Sequence, residues 1–198
     1  MSNPSVLPGK VAWTGDNPFI YLKEDPAADF TSLSVFFRIN ASPFGIGQAA
    51  LVVVRPYDED GYGIVLTDND SLTNYLIDEF VSKFVLFRPC SFMDKLEIIS
   101  DADFKTIREG DDWIEEAHSG DRSIRLIWRD LGTPFAVDVP GPESGTGQHE
   151  MFSVFRIAQA GEVFLDGERL PGNTVQRDFL NGPGQSAGMA ISETWVEV

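Results

Sequence analysis

Cysteine, histidine and positive charge are all scarce in this chain of 198 residues. One cysteine, Cys90, cannot close an intramolecular disulfide, so the fold must rest on its own core. Two histidines, His118 and His149, stand outside any HExxH or Cys/His pattern, which leaves a zinc site without support; we expect no metal and no cofactor. Fifteen basic residues face 31 acidic ones, a net charge of −16. That balance repels phosphate backbones and anionic lipid, and argues against nucleic-acid or membrane-surface partners. Long apolar runs are missing too: the longest, "AALVVV", stops at Arg55, far short of the roughly 20 residues that cross a bilayer. The opening "MSNPSVLPGK" has neither the charged nor the apolar part of a secretory signal, and a cytoplasmic protein is the corresponding expectation.

What the chain does contain is β-branched and aromatic residues in short runs. "KVAWTG", "PFIYLKE", "LSVFFRIN", "QAALVVVRP" and "YGIVLT" read as five early strands, separated by turn-rich "GDNP", "DPAADF", "ASPFGIG" and "YDEDG". Leu72, Tyr75, Leu76, Phe80 and Phe84 then recur at helical spacing, which predicts a helix over 72–84 capped by Asp70 or Ser71. "FVLFRP" reads as a strand, and "SDADFKTIREGDDW" as a short acidic helix stopped by Gly110. Strands resume at "SIRLIWRDL", "PFAVDVP", "MFSVFRIAQ", "GEVFLDGERL" and the C-terminal "SAGMAISETWVEV", with two Gly-rich loops between them. No repeat or linker divides the chain, so residues 1–198 are expected to form a single domain, mainly β with one or two short helices.

Several motifs formally match reactive patterns and fail on mechanism. Gly184-Gln185-Ser186-Ala187-Gly188 spells GxSxG, but no histidine follows it and a strand rather than a helix comes next. Asp58, Asp60 and Gly61 resemble part of a calcium loop, yet Pro56 and Thr67 fall where carboxylates are required. Gly145 and Gly147 lack the lysine of a phosphate loop. Glu115, Glu116 and Asp138 could form acid–base pairs, but in so acidic a chain proximity alone says little.

The C-terminal strand is more informative. Simple alternation puts Met189, Ile191, Glu193, Trp195 and Glu197 on one face, and Ala190, Ser192, Thr194, Val196 and Val198 on the other. If the first face is inward, Glu193 is a carboxyl in apolar surroundings, and such a group is paired or functional.

The stretch "VAWTGDNPFIYLKEDPAADFTSLSVFFRIN", together with His149 and the hairpin "MFSVFRIAQAGEVFLDGERL" with Asp166-Gly167 at its turn, resembles laminin-G and concanavalin A-like jelly rolls. The resemblance implies an antiparallel β-sandwich whose face or end loops bind a carbohydrate or protein partner. The acidic catalytic signature of glycosidases on that scaffold is absent, as is a tryptophan before His149, where Gln148 stands. The alternative architecture is a lipocalin-like (calycin) β-barrel, with "GKVAW" as its first strand and Trp195 in the lumen.

Three functions follow. A non-catalytic binding module would present Trp113, Trp128 and Trp195 as flat apolar surface for a carbohydrate or protein ligand. A barrel would bind or transform a small apolar molecule, with Glu193 as interior acid and His149 or Arg156 as its partner. A structural or assembly protein would use its charge to stay soluble. The chemistry leans away from an enzyme, and nothing in the sequence sets an oligomeric state.

Overall fold

The computed structural model describes residues 9–91, 93–180 and 182–198. The five early strands are present as β1 (Val11–Asp16), β2 (Phe19–Leu22), β3 (Ser32–Ala41), β4 (Gly47–Val54) and β5 (Tyr62–Thr67). The single α-helix, α1 (Asp70–Glu79), is followed by β6 (Glu97–Ile99), β7 (Asp103–Glu109), β8 (Asp112–Ser119), β9 (Arg122–Leu131) and β10 (Phe135–Val139). The chain ends with β11 (His149–Leu165), β12 (Glu168–Arg169), the hairpin β13 (Gln176–Phe179) and β14 (Gly182–Gln185), and β15 (Ala187–Glu197). No helix among the described residues is long and apolar enough to cross a membrane.

The protein is mainly β, built on one large mixed sheet. Its strands run in the order β6-β5-β4-β3-β1-β15-β11-β9-β8-β7, so the C-terminal strand lies at the centre, beside the first. All neighbours along that path are antiparallel except β5 and β6. β2 occupies the slot beyond the end of β1, between β3 and β15. Asn17 and Pro18 sit at the break between these two strands, where the Asn17 amide still bonds the Ala190 carbonyl at 3.0 Å.

Both faces of the sheet are buried. On one, Phe36, Val52, Ile64 and Leu66 from β3–β5 share a cluster with Trp113, Leu126 and Trp128 from β8 and β9, so the two arms of the sheet pack against each other. On the other, Leu33, Val35, Phe37 and Leu51 pack with Trp13, Met151, Phe155 and Trp195 under a cover supplied by Leu72 and Leu76 of α1 and by Phe80, Val81 and Phe87. Burial on both faces explains why many strands read as near-continuous apolar runs rather than clean alternation.

Five local expectations are corrected. The helix ends at Glu79, and the chain continues through a 3-10 turn at Val81–Lys83. Its N-cap is Asn69 rather than Asp70 or Ser71. Residues 84–89 form turns instead of a strand, because Phe84 and Phe87 are drawn into the core cover one at a time rather than in a ladder. The acidic segment 103–109 is a strand, not a helix: paired residue by residue with β8, it satisfies its backbone in the sheet, and Gly110 at φ +65° makes the turn. "MFSVFRIAQ" and "GEVFL" are one unbroken strand, while the expected turn at Asp166-Gly167 is present, with both residues at positive φ.

Asn69 does more than cap. Its Oδ1 accepts from the Leu72 amide at 3.1 Å, and its Nδ2 donates to the carbonyls of Phe44 and Ile46 at 3.1 and 3.0 Å. Asn69→Ala removes all three bonds and is expected to cost about 1–2 kcal/mol in urea unfolding. A loss within error of zero would mean that water replaces them.

Candidate functional site

The site depends on a single extra residue in β15. Val154 pairs with Ile191, but Phe152 pairs with Thr194, so two residues of β15 oppose Ser153 where one would fit. Ser192 takes up the extra residue at φ +52°, and its amide donates to the Asp16 carboxylate at 3.0 Å. A bulge of this kind reverses the inside–outside parity of the strand beyond it. Met189 and Ile191 therefore pack into the cluster between the sheet arms, whereas Glu193 and Trp195 join Ala190 on the helix-covered face. Neither of the two faces read from simple alternation survives intact. Glu193 is nevertheless inward, 2% exposed.

Its carboxyl is only half satisfied. Oε1 accepts from the Trp195 indole at 2.6 Å and from the Asn17 carboxamide at 3.4 Å, while Oε2 has no protein partner among the described residues. Asn17 Oδ1 is also buried without a partner, and Ser153 Oγ, though close enough to draw the Glu193 pKa down, makes no hydrogen bond of good geometry. Burial raises the Glu193 pKa from its ordinary value to about 7, against the opposing pull of Trp195, Asn17 and Ser153, and the nearby Asp16 charge adds to the rise.

Glu193 and Asn17 face a pocket of about 210 Å³. Phe19, Tyr21, Met151, Phe155 and Trp195 form its walls on the sheet, and the rim comes from Phe84–Leu86, Gly145 and the β13–β14 hairpin with Arg177, Phe179 and Leu180. Phe179 ties the hairpin down by stacking on Phe19 at 5.8 Å and meeting Phe155 edge-on at 4.9 Å. Gly145 gives the rim room: a Cβ there would lie 3.2 Å from the Phe84 ring, closer than ordinary contact. Tyr21 is held well above the usual phenol range by burial, so it stays neutral at the pocket wall. The arrangement can bind a flat apolar body, and at Glu193 it can give, accept or share a proton.

The other expected site residues lie elsewhere. Trp113 is buried under the Arg108 guanidinium, with its indole on Glu115, and Trp128 is fully buried with its indole on the Phe19 carbonyl. Neither offers an exposed ring, because both are needed to fill the space between the sheet arms. Only Trp195 of the three reaches the pocket.

His149 and Arg156 do not partner Glu193. Burial and Lys83 keep the His149 pKa below its ordinary value; its Nδ1 sits 3.2 Å from Thr146 Oγ1 and its ring 4.7 Å from that of Phe80. Arg156 donates to the carbonyls of Leu131 and Gly132. Ser186, the centre of the GxSxG match, is a fully buried structural hydroxyl bonded to Tyr21 and Val175 backbone. Cys90 is buried, and burial pushes its thiol pKa up to about 11.

The sequence reading passed over Asn17 and Arg177. Asn17 stood within a segment read only as a turn, and Arg177 lies two residues from Phe179 in a stretch before the Gly-rich "NGPGQSAG", whose folding over the pocket has no local signature. Among the described residues, no three His, Cys, Asp or Glu side chains converge as metal ligands. Comparison of the chain with protein-family models, with curated proteins and with solved structures finds no match, so the reading of the site rests on its own geometry.

Proposed function

We propose that this protein binds a small, mostly apolar molecule in the pocket over Glu193, on a scaffold of sandwich type. One observation carries the reading. A buried carboxyl with a free Oε2 lies beside an orphaned buried acceptor, Asn17 Oδ1, at an aromatic-lined pocket. Unpaired buried polar atoms are costly, and a ligand that pairs them recovers that cost on binding. The volume, below the roughly 300–1,000 Å³ typical of drug-sized sites, suits a compact ring system.

For the scaffold, the support is that the sheet path has two ends, β6 and β7, with a core between its arms. The carbohydrate or protein reading loses its platform with Trp113 and Trp128 buried.

Phenol and indole, titrated into isotopically labelled protein, should shift the amides of Phe84, Gly145 and Phe179 saturably, with Kd on the order of 1 mM. Native mass spectrometry of freshly purified protein should show any tight natural occupant as a mass lost on denaturation. No saturable shift at these amides and no such mass would overturn the proposal.

A further inference from the structure

The geometry points to an aromatic carboxylate as the ligand, its acid group held by Arg177 at the rim and an N–H or O–H at its far end held by Glu193 and Asn17. This inference rests on the pocket reading above and adds the polarity of the ligand.

The outer end is set by Arg177. In a chain with twice as many acids as bases, its guanidinium has no carboxylate partner among the described residues. Its Nε donates to the Asp178 carbonyl at 3.3 Å, and its remaining N–H groups have no bond there. The guanidinium lies 5.8 Å from the Tyr21 ring centroid, against the pocket wall. The adjacent Asp178 does not neutralise it: that side chain lines the neighbouring groove with Asp138 and Glu143. A planar fork with free donors at the mouth of an apolar pocket matches a carboxylate, which it can hold through two parallel bonds.

The inner end asks for the opposite partner. Asn17 Oδ1 can only accept, and Glu193 Oε2 accepts when ionised. A ligand that satisfies both carries a donor at that end. Between the two ends, Phe19, Phe155, Phe179 and Trp195 present ring faces and edges that suit a flat aromatic body. A ligand with a cationic group at the mouth would meet Arg177. A carboxylate at the mouth meets little repulsion from below, since burial keeps Glu193 partly protonated near neutral pH.

The test compares 4-hydroxybenzoate and indole-3-acetate with their uncharged counterparts phenol and 3-methylindole, by the same amide-shift titration, on the native protein and on Arg177→Gln. The two acids should bind about tenfold more tightly than their counterparts, and that advantage should vanish in Arg177→Gln while the uncharged pair keep their affinity. Benzoate, which lacks the inner donor, should bind severalfold more weakly than 4-hydroxybenzoate. If the uncharged pair bind and the acids bind no better, the ligand class is wrong and the pocket stands. Equal losses for acids and uncharged counterparts in Arg177→Gln would likewise overturn the class, by making Arg177 structural. If none of the compounds binds, both the class and the pocket reading fall.

Discussion

Glu193→Gln should stabilise the folded protein by about 3 kcal/mol at pH 8 and by only about 1 kcal/mol at pH 5. In the folded state the carboxyl holds its proton up to about pH 7, whereas the unfolded chain releases it near its model value of 4.5. Below 4.5 both states are protonated, and the contribution of Glu193 is fully present. Between 4.5 and 7 only the unfolded state is ionised, so each pH unit weakens folding by about 1.4 kcal/mol, and above 7 the loss is complete. Glutamine keeps an acceptor for Trp195 and Asn17 and carries no charge to desolvate. The other carboxylates titrate alike in the two proteins, so the difference between their urea midpoints isolates this one group. The measurement belongs at pH 5 and above, clear of the isoelectric point near 4.3. Two stability profiles running parallel across pH 5–8 would show that Glu193 is solvated and that the pocket has no polar centre.

A substitution that stabilises the fold while weakening the ligand is what a binding residue retained at a cost predicts. The same variant should weaken 4-hydroxybenzoate, because an ionisable acceptor in the apolar floor is replaced by an amide. Burial and function are thus read on one residue by two independent measurements.

The strand content was legible because its causes are local. Early strands announce themselves through β-branched runs and turn residues, and Asp166-Gly167 is a turn by its own chemistry. Segment 103–109 misled because Ser100 and Asp103 stand where a helix would start and Gly110 where it would stop, while what fixes it as a strand is pairing with β8. The site was half legible: Glu193 stood out as an acid among apolar residues, but the face it occupies is set by a bulge at a serine. A glycine there would have hinted at positive φ; Ser192 gave no such sign. Arg177, Asn17 and Phe84 meet only because distant segments fold onto one sheet face, and no local pattern carries that information.

The largest loss of stability is expected from Arg38→Met, about 3 kcal/mol at pH 8. Glu115 on β8 is 1% exposed, and both its oxygens accept from Arg38 Nη2 of β3, at 2.9 and 2.8 Å. Thr106 and the Trp113 indole complete its shell. Removing the cation leaves a buried carboxylate with neutral donors only, which costs more than the pair contributes when intact. Arg38→Met with Glu115→Gln removes both charges and should recover much of the loss, whereas a purely steric role for Arg38 would leave the double variant as unstable as the single. Arg38 also faces Asp16 at 3.4 Å, and Asp16 holds the Ser192 amide at the bulge that turns Glu193 inward. The ion pair between the sheet arms is thereby linked to the floor of the pocket. At a urea concentration well below its midpoint, Arg38→Met should therefore bind phenol more weakly than the native protein does. Unchanged binding would separate the bulge from the ion pair and leave Asp16 alone to hold it.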